Sequence, residues 1–175
     1  MLRKTDQHIV TALVTNKSGV LNRISGLFSR RGYNIESLSV ASTEEPGRSR
    51  MTIVVNGDTY ILEQITKQLD KVVDVIRVEQ LDPGNAMMRE LLLVKVRVAP
   101  RERPEIETTA RLFKAKTIDV SDNAITLELT GEPAKLEGFI ALLRPYGIIE
   151  MAKTGVTALE RGIRSIADAV DYSEE

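Results

Sequence analysis

Two hydrophobic periodicities alternate along this chain, and they do so twice in the same order. Apolar residues at every second position mark strands, and apolar residues at i, i+3, i+4 and i+7 mark helices. Residues 8–14 are apolar or β-branched, which predicts a strand. Asn16-Lys17-Ser18-Gly19 breaks that run, and Val20, Leu21, Ile24, Leu27 and Phe28 then share one helical face. Ser18 or Asn16 is suited to cap the start of this helix, and Gly32 stands where a left-handed C-cap belongs. Strands over 33–41 and 50–55 follow, separated by the turn cluster Glu44-Glu45-Pro46-Gly47. A helix striped by Ile61, Leu62, Ile65 and Leu69 and a strand over 73–81 complete a β-α-β-β-α-β order.

Asp82-Pro83-Gly84-Asn85 punctuates the chain, and the order then recurs. Leu92, Val94, Val96 and Val98 share a strand face, Pro104 opens a helix carrying Ile106, Ala110 and Phe113, and Ile118 and Val120 precede a turn at Ser121-Asp122-Asn123. Ile125, Leu127 and Leu129 alternate with polar residues, Leu136, Phe139, Ile140 and Leu143 stripe a helix that starts at Gly131-Glu132-Pro133, and a last strand is predicted over 147–158. The fold class is therefore α+β, with two ferredoxin-like βαββαβ domains in tandem at 1–82 and 83–162 and a C-terminal tail at 163–175. A unit of about 75 residues buries only about 60% of its unfolded surface, so its stability is marginal. Ile9 and Leu13, and likewise Leu91 and Leu93, lie on the strand face opposite the helices. Such a face is expected to pack on the other domain or in an oligomer, or else its apolar residues are tolerated singly.

Composition narrows the chemistry. The chain has no Cys, so disulfides, thiolate nucleophiles and cysteine zinc sites are excluded, and His8 is its one histidine. No phosphate loop, nucleophile elbow, H-E-x-x-H or EF-hand pattern occurs, so no catalytic residue and no metal ligand is assigned. The carboxylate pairs Glu44-Glu45 and Glu174-Glu175 sit in a Pro-Gly turn and at the terminus, where solvation explains them. Charge is even: 11 basic and 10 acidic residues in 1–82, 13 and 15 in 83–175. Arg30-Arg31, an adjacent basic pair, falls at a helix end and compensates its dipole. An RNA-binding use of this element order wants rings on the third strand, and Arg50-Met51-Thr52-Ile53-Val54-Val55 has none. No apolar run reaches membrane-span length and residues 1–6 form no signal-peptide core, so a soluble cytoplasmic protein without nucleic-acid or membrane partners is expected.

The loop Asn16-Lys17-Ser18-Gly19-Val20-Leu21 stands out because it leads into a helix. Helix-start N–H groups attract a carboxylate, Gly19 lets a ligand approach the backbone, and an asparagine amide serves both an ammonium and a carboxylate. An α-amino acid carries both groups, although a plain cap and turn explains the loop by itself.

The longer string Asn16-Lys-Ser-Gly-Val-Leu-Asn-Arg-Ile-Ser-Gly-Leu-Phe-Ser-Arg-Arg-Gly-Tyr-Asn-Ile-Glu-Ser-Leu-Ser-Val40 closely resembles the ACT domain of acetohydroxyacid synthase (acetolactate synthase) small regulatory subunits. The resemblance continues through Ser49-Arg-Met-Thr-Ile53, residues 62–69, 89–96 and 118–120, and Lys153-Thr-Gly-Val156, covering roughly residues 5–162; the tail from Ile163 departs from it. It implies a non-catalytic regulatory subunit. Such a subunit activates a large catalytic partner, which holds thiamine diphosphate, a divalent metal and FAD, and confers feedback inhibition by a branched-chain amino acid, commonly valine. This chain would itself carry no cofactor. The resemblance further implies a homodimer through ACT domains, with Asn16, Gly19, Val20 and Leu21 of one protomer facing Asn34 and Ile35 of the other across the effector. On that placement Gly19→Asp is expected to abolish sensing while the fold tolerates it, provided Gly19 does not need a positive φ. A free-standing amino-acid-sensing ACT protein acting on another enzyme or a transcription regulator is the alternative, and a cryptic small enzyme a further one.

Overall fold

The computed structural model describes residues 7–168, so the first six residues and the pair Glu174-Glu175 lie outside the described part of the chain. Two compact units form: one comprises the chain up to Met87 together with the segment from Val156, the other Met88–Gly155.

The first unit contains β1 (Gln7–Thr15), α1 (Val20–Arg31), β2 (Ile35–Ser42), β3 (Arg48–Asn56), α2 (Thr59–Asp70) and β4 (Val75–Leu81). Its strands form an antiparallel sheet in the order β2-β3-β1-β4. Alternation sends Val10, Ala12 and Val14 of β1 and Met51, Ile53 and Val55 of β3 to the helical side. There they bury Val20, Ile24, Leu27 and Phe28 of α1 and Leu62, Ile65 and Leu69 of α2. Asp58 caps α2 through Ile61 N at 2.8 Å. Gly32 closes α1 at φ 68°, as its position predicts.

The second unit repeats the order with β5 (Ala86–Arg97), α3 (Arg103–Phe113), β6 (Lys116–Val120), β7 (Ala124–Gly131), α4 (Pro133–Leu143) and β8 (Ile148–Lys153). Its sheet runs β6-β7-β5-β8, and Leu92, Val94, Val96, Ile125, Leu127 and Leu129 pack on Ile106, Ala110, Leu136, Phe139, Ile140 and Leu143. Lys153 Nζ lies 3.0 Å from Glu137 Oε1 and 3.6 Å from Oε2 of Glu90, a buried carboxylate oxygen that accepts no hydrogen bond among the described residues. Burial works to lower the pKa of Lys153, but its hydrogen bond to Glu137 and the charge of Glu90 outweigh this and hold it above the ordinary lysine value.

The end of the chain departs from the sequence expectation. The segment 147–158 is not one strand: β8 stops at Lys153, and β9 (Thr157–Glu160) pairs with β5. Thr154 ends the ladder by accepting Leu91 N–H on its own hydroxyl at 2.9 Å while its N–H donates to Leu91 O at 3.0 Å. Val156 then joins the first unit, where its N–H donates to Ser37 Oγ at 2.7 Å and its carbonyl accepts from Ser39 Oγ at 2.8 Å. From there the chain runs as a strap: Glu160 accepts from Asn85 Nδ2 at 3.1 Å, and Arg164 bonds Glu79 at 2.9 Å and Glu160 at 3.3 Å. Val156, Ala158 and Ile166 of this strap are buried, and so are Ile9, Thr11 and Leu13 on the sheet face opposite the helices. The second compact unit ends at Gly155, and residues 163–168 group with the first unit. The segment is held there by polar contacts, Ser37 and Ser39 on Val156 and Glu79 on Arg164, beside the buried Ile9 and Leu13.

Two outcomes follow. Replacing Ser37 and Ser39 together by Ala strips Val156 of both partners and should lower stability by about 2 kcal/mol, with faster proteolysis after Lys153 as the local readout. Lys153→Met leaves Glu90 unpaired and should cost about 1–3 kcal/mol at neutral pH, part of which Glu90→Gln restores. Because the folded-state pKa of Lys153 is raised, its contribution is complete below the unfolded lysine value of about 10.4 and fades as pH rises through the folded one. Urea unfolding at a series of pH values should show wild type and Lys153→Met converging only above that point.

Candidate effector-binding site

The loop between β1 and α1 owes its shape to a glycine. Gly19 is the residue before α1, and its φ of 85° is left-handed, a conformation in which a Cβ is strained. No side chain caps the helix, so neither Ser18 nor Asn16 takes the role their spacing predicts. A left-handed residue at the cap position turns the preceding side chains away from the first-turn amides. Val20 N makes only a 3.5 Å contact with Lys17 O, and regular helical bonding begins with Arg23 N to Gly19 O at 3.0 Å. The first turn thus keeps N–H groups without a partner among the described residues at the positive end of a 12-residue helix.

The loop is anchored from below. Asn16 N donates to Gly47 O at 2.8 Å and Thr15 N to Asp74 O at 2.9 Å. The buried Asp74 carboxylate accepts from Thr15 Oγ1 at 3.1 Å and is paired with the Arg23 guanidinium. Thr15, Arg23 and Asp74 were not among the sequence-derived site residues. Arg23 carries a faint local signal, four positions after Gly19 on the helix, but Asp74 lies 51 residues further on and only the folded sheet brings it in.

Asn16, Gly19 and Leu21 are exposed, Leu21 by 49%, whereas the Val20 side chain is in the core and leaves only its backbone to the loop. Asn34 is exposed and donates to Glu36 Oε1 at 3.0 Å; Ile35, half-buried, packs on the core. Within one chain these two groups are not together. They flank α1, whose 12 residues span about 18 Å. β2 and β1 run in the same direction, since both are antiparallel to β3. Ser42 pairs with Ser49 and Ser49 with Val14, so the end of β2 lies at the sheet end that carries the 16–19 loop, while Ile35 lies at the other. β2 is also an edge strand of the sheet.

Residues 10–77 match the family described as "AHAS small subunit-like ACT domain", and residues 89–162 match "Small subunit of acetolactate synthase". The chain belongs to the acetolactate synthase small-subunit family. It is 49% identical over 162 residues to a probable acetolactate synthase small subunit of Methanothermobacter thermautotrophicus, covering 92% of this chain and 96% of that one. The acetolactate synthase small subunit of Mycolicibacterium smegmatis is 48% identical over 169 residues, 97% of this chain and 99% of its own. The crystal structure of the Thermotoga maritima small subunit superposes with a TM-score of 0.84 at 42% identity, over 91% of this chain and 99% of that chain. Membership agrees with the α+β class and with an N-terminal ACT domain. Among the described residues no cluster of His, Asp and Glu is arranged to hold a metal ion, and no helix is long and apolar enough to cross a membrane.

The left-handed Gly19 corrects the expected tolerance of Gly19→Asp. A Cβ there would lie 4.0 Å from Arg23 Nη2, so an Asp carboxylate would also compete with Asp74 for that guanidinium. Gly19→Ala should lose about 1–2 kcal/mol in urea unfolding, and Gly19→Asp somewhat less, because Asp enters the left-handed region more easily.

Proposed function

We propose that this small subunit is the non-catalytic regulatory partner of a large acetolactate synthase subunit. It activates that subunit and makes it sensitive to a branched-chain amino acid, valine first among them. Thiamine diphosphate, a divalent metal and FAD belong, on this reading, to the large subunit. Here the effector binds between two copies of the ACT domain, its carboxylate on the open first turn of α1 at Gly19, Val20 and Leu21, with Asn16 beside it and Asn34 and Ile35 supplied by the partner.

The observation that carries this reading is the direction of β2. A two-fold pair formed by antiparallel addition of β2 to β2 sets the start of one strand beside the end of the other. That end carries the 16–19 loop. Asn34 and Ile35, about 18 Å from Gly19 in their own chain, would then come to the loop of the neighbour. An exposed Leu21 and a half-buried Ile35 offer an apolar side chain two walls. One methylene is worth about 1–3 kcal/mol in such a pocket, so valine, leucine and isoleucine should differ by a modest factor.

Reconstitution tests this directly. The isolated chain should form no acetolactate from pyruvate, should raise the rate of the large subunit several-fold, and should render the complex inhibitable by valine. Asn34→Ala removes an exposed amide whose charge-assisted bond is worth about 1.5–3 kcal/mol, so it should raise the inhibitory valine concentration tenfold or more while activation survives. Turnover by the chain alone, or a mixture without gain, overturns the proposal.

A further inference from the structure

Under the strap, on the sheet face away from the helices, lies a hollow of about 310 Å³ built entirely from the first unit. Thr11, Arg50 and Glu79 from three adjacent strands face it, and strap residues from Leu159 to Ile166 close it from the other side. Its charges fall into two groups. Glu79 and Glu160 are held by Arg164 at 2.9 and 3.3 Å, and Glu79 also lies 3.6 Å from Arg77. Arg50 is different: its side chain is half-buried, and it makes no ion pair among the described residues. Its Nη1 reaches Thr11 Oγ1 at 3.5 Å, the outer limit of a hydrogen bond. Glu44, exposed at the rim, likewise has no hydrogen-bond or ion-pair partner among the described residues. Leu81, Met87 and Ile166 supply an apolar wall.

We propose that this hollow is a second ligand site, separate from the Gly19 loop, that takes a small apolar α-amino acid with its carboxylate on Arg50 and its ammonium toward Glu44. A half-buried guanidinium without a counter-charge is the group that a carboxylate satisfies best, through two parallel N–H bonds. The remaining free charge is a single carboxylate, so a zwitterion neutralises the site and a simple anion does not. The volume suits one small molecule, and the apolar wall accepts a hydrocarbon side chain. Since half the lining is strap, a bound ligand ties the strap to β3.

The test uses the full chain with 13C-labelled methyl groups, titrated with L-leucine and with 4-methyl-2-oxopentanoate, the same skeleton lacking the ammonium. Leucine should shift the Met87 and Ile166 methyls, and the oxo acid should need at least a tenfold higher concentration. Arg50→Gln should weaken the leucine shifts at these methyls tenfold or more, Arg50→Lys should retain part of them, and the rim variant Glu44→Gln should erase the preference for leucine over the oxo acid. Asn34→Ala should leave them unchanged, and it separately reads the Gly19 site through the Leu21 methyls. Met87 and Ile166 methyls that stay silent, or respond equally in a folded Arg50→Lys and wild type and in Glu44→Gln, overturn the site. Equal binding of the oxo acid by wild type overturns its class.

Discussion

The first sheet has two apolar faces and only two helices to cover them, and much of the structure answers that shortage. Both helices lie on the side of Val10, Ala12 and Val14, leaving Ile9 and Leu13 to be buried by something else. The chain's own segment beyond Gly155 groups with this sheet, bonding Ser37, Ser39 and Glu79. β8 ends at Lys153, before this segment begins. Thr154 makes the ending possible by satisfying Leu91 with a side-chain oxygen, and Ser37 and Ser39 then receive the two backbone groups that Val156 has withdrawn from the ladder. A buried backbone amide must bond somewhere, and here two serines on an edge strand take the place of a neighbouring strand.

The same economy of partners shapes the start of α1. Capping by a side chain would satisfy the first-turn amides and close them to a ligand. A left-handed glycine leaves them open, and the loop is instead held from beneath by Asp74, through Thr15 and Arg23. The open turn and its anchor are thus supplied by different residues, Gly19 for the one and Asp74 for the other.

Much of this was legible in the sequence. Alternation of Ile125, Leu127 and Leu129 with polar residues and the stripe at Leu136, Phe139, Ile140 and Leu143 identify their elements because burial on one face is a local pattern. Gly32 marks the end of α1 because capping acts over three or four residues. Asn16 and Ser18 misled for a related reason: they are good caps in general, but whether a residue caps depends on the φ of its neighbour, and Gly19 allowed a turn that bypasses them. Asp74 was invisible because nothing near it in the chain distinguishes it from any surface carboxylate.

The sequence by itself therefore determined the element order, its repetition, both helix-facing cores and the family, since each rests on contacts within a few residues or on a string long enough to be specific. Tertiary structure alone decided where residues from 156 onward go, which carboxylate anchors the loop, and which end of β2 lies beside that loop. Those outcomes depend on which strand lies beside which. Antiparallel pairing in the order β2-β3-β1-β4 brings together residues 50 or more positions apart, and no local periodicity encodes a neighbour at that distance.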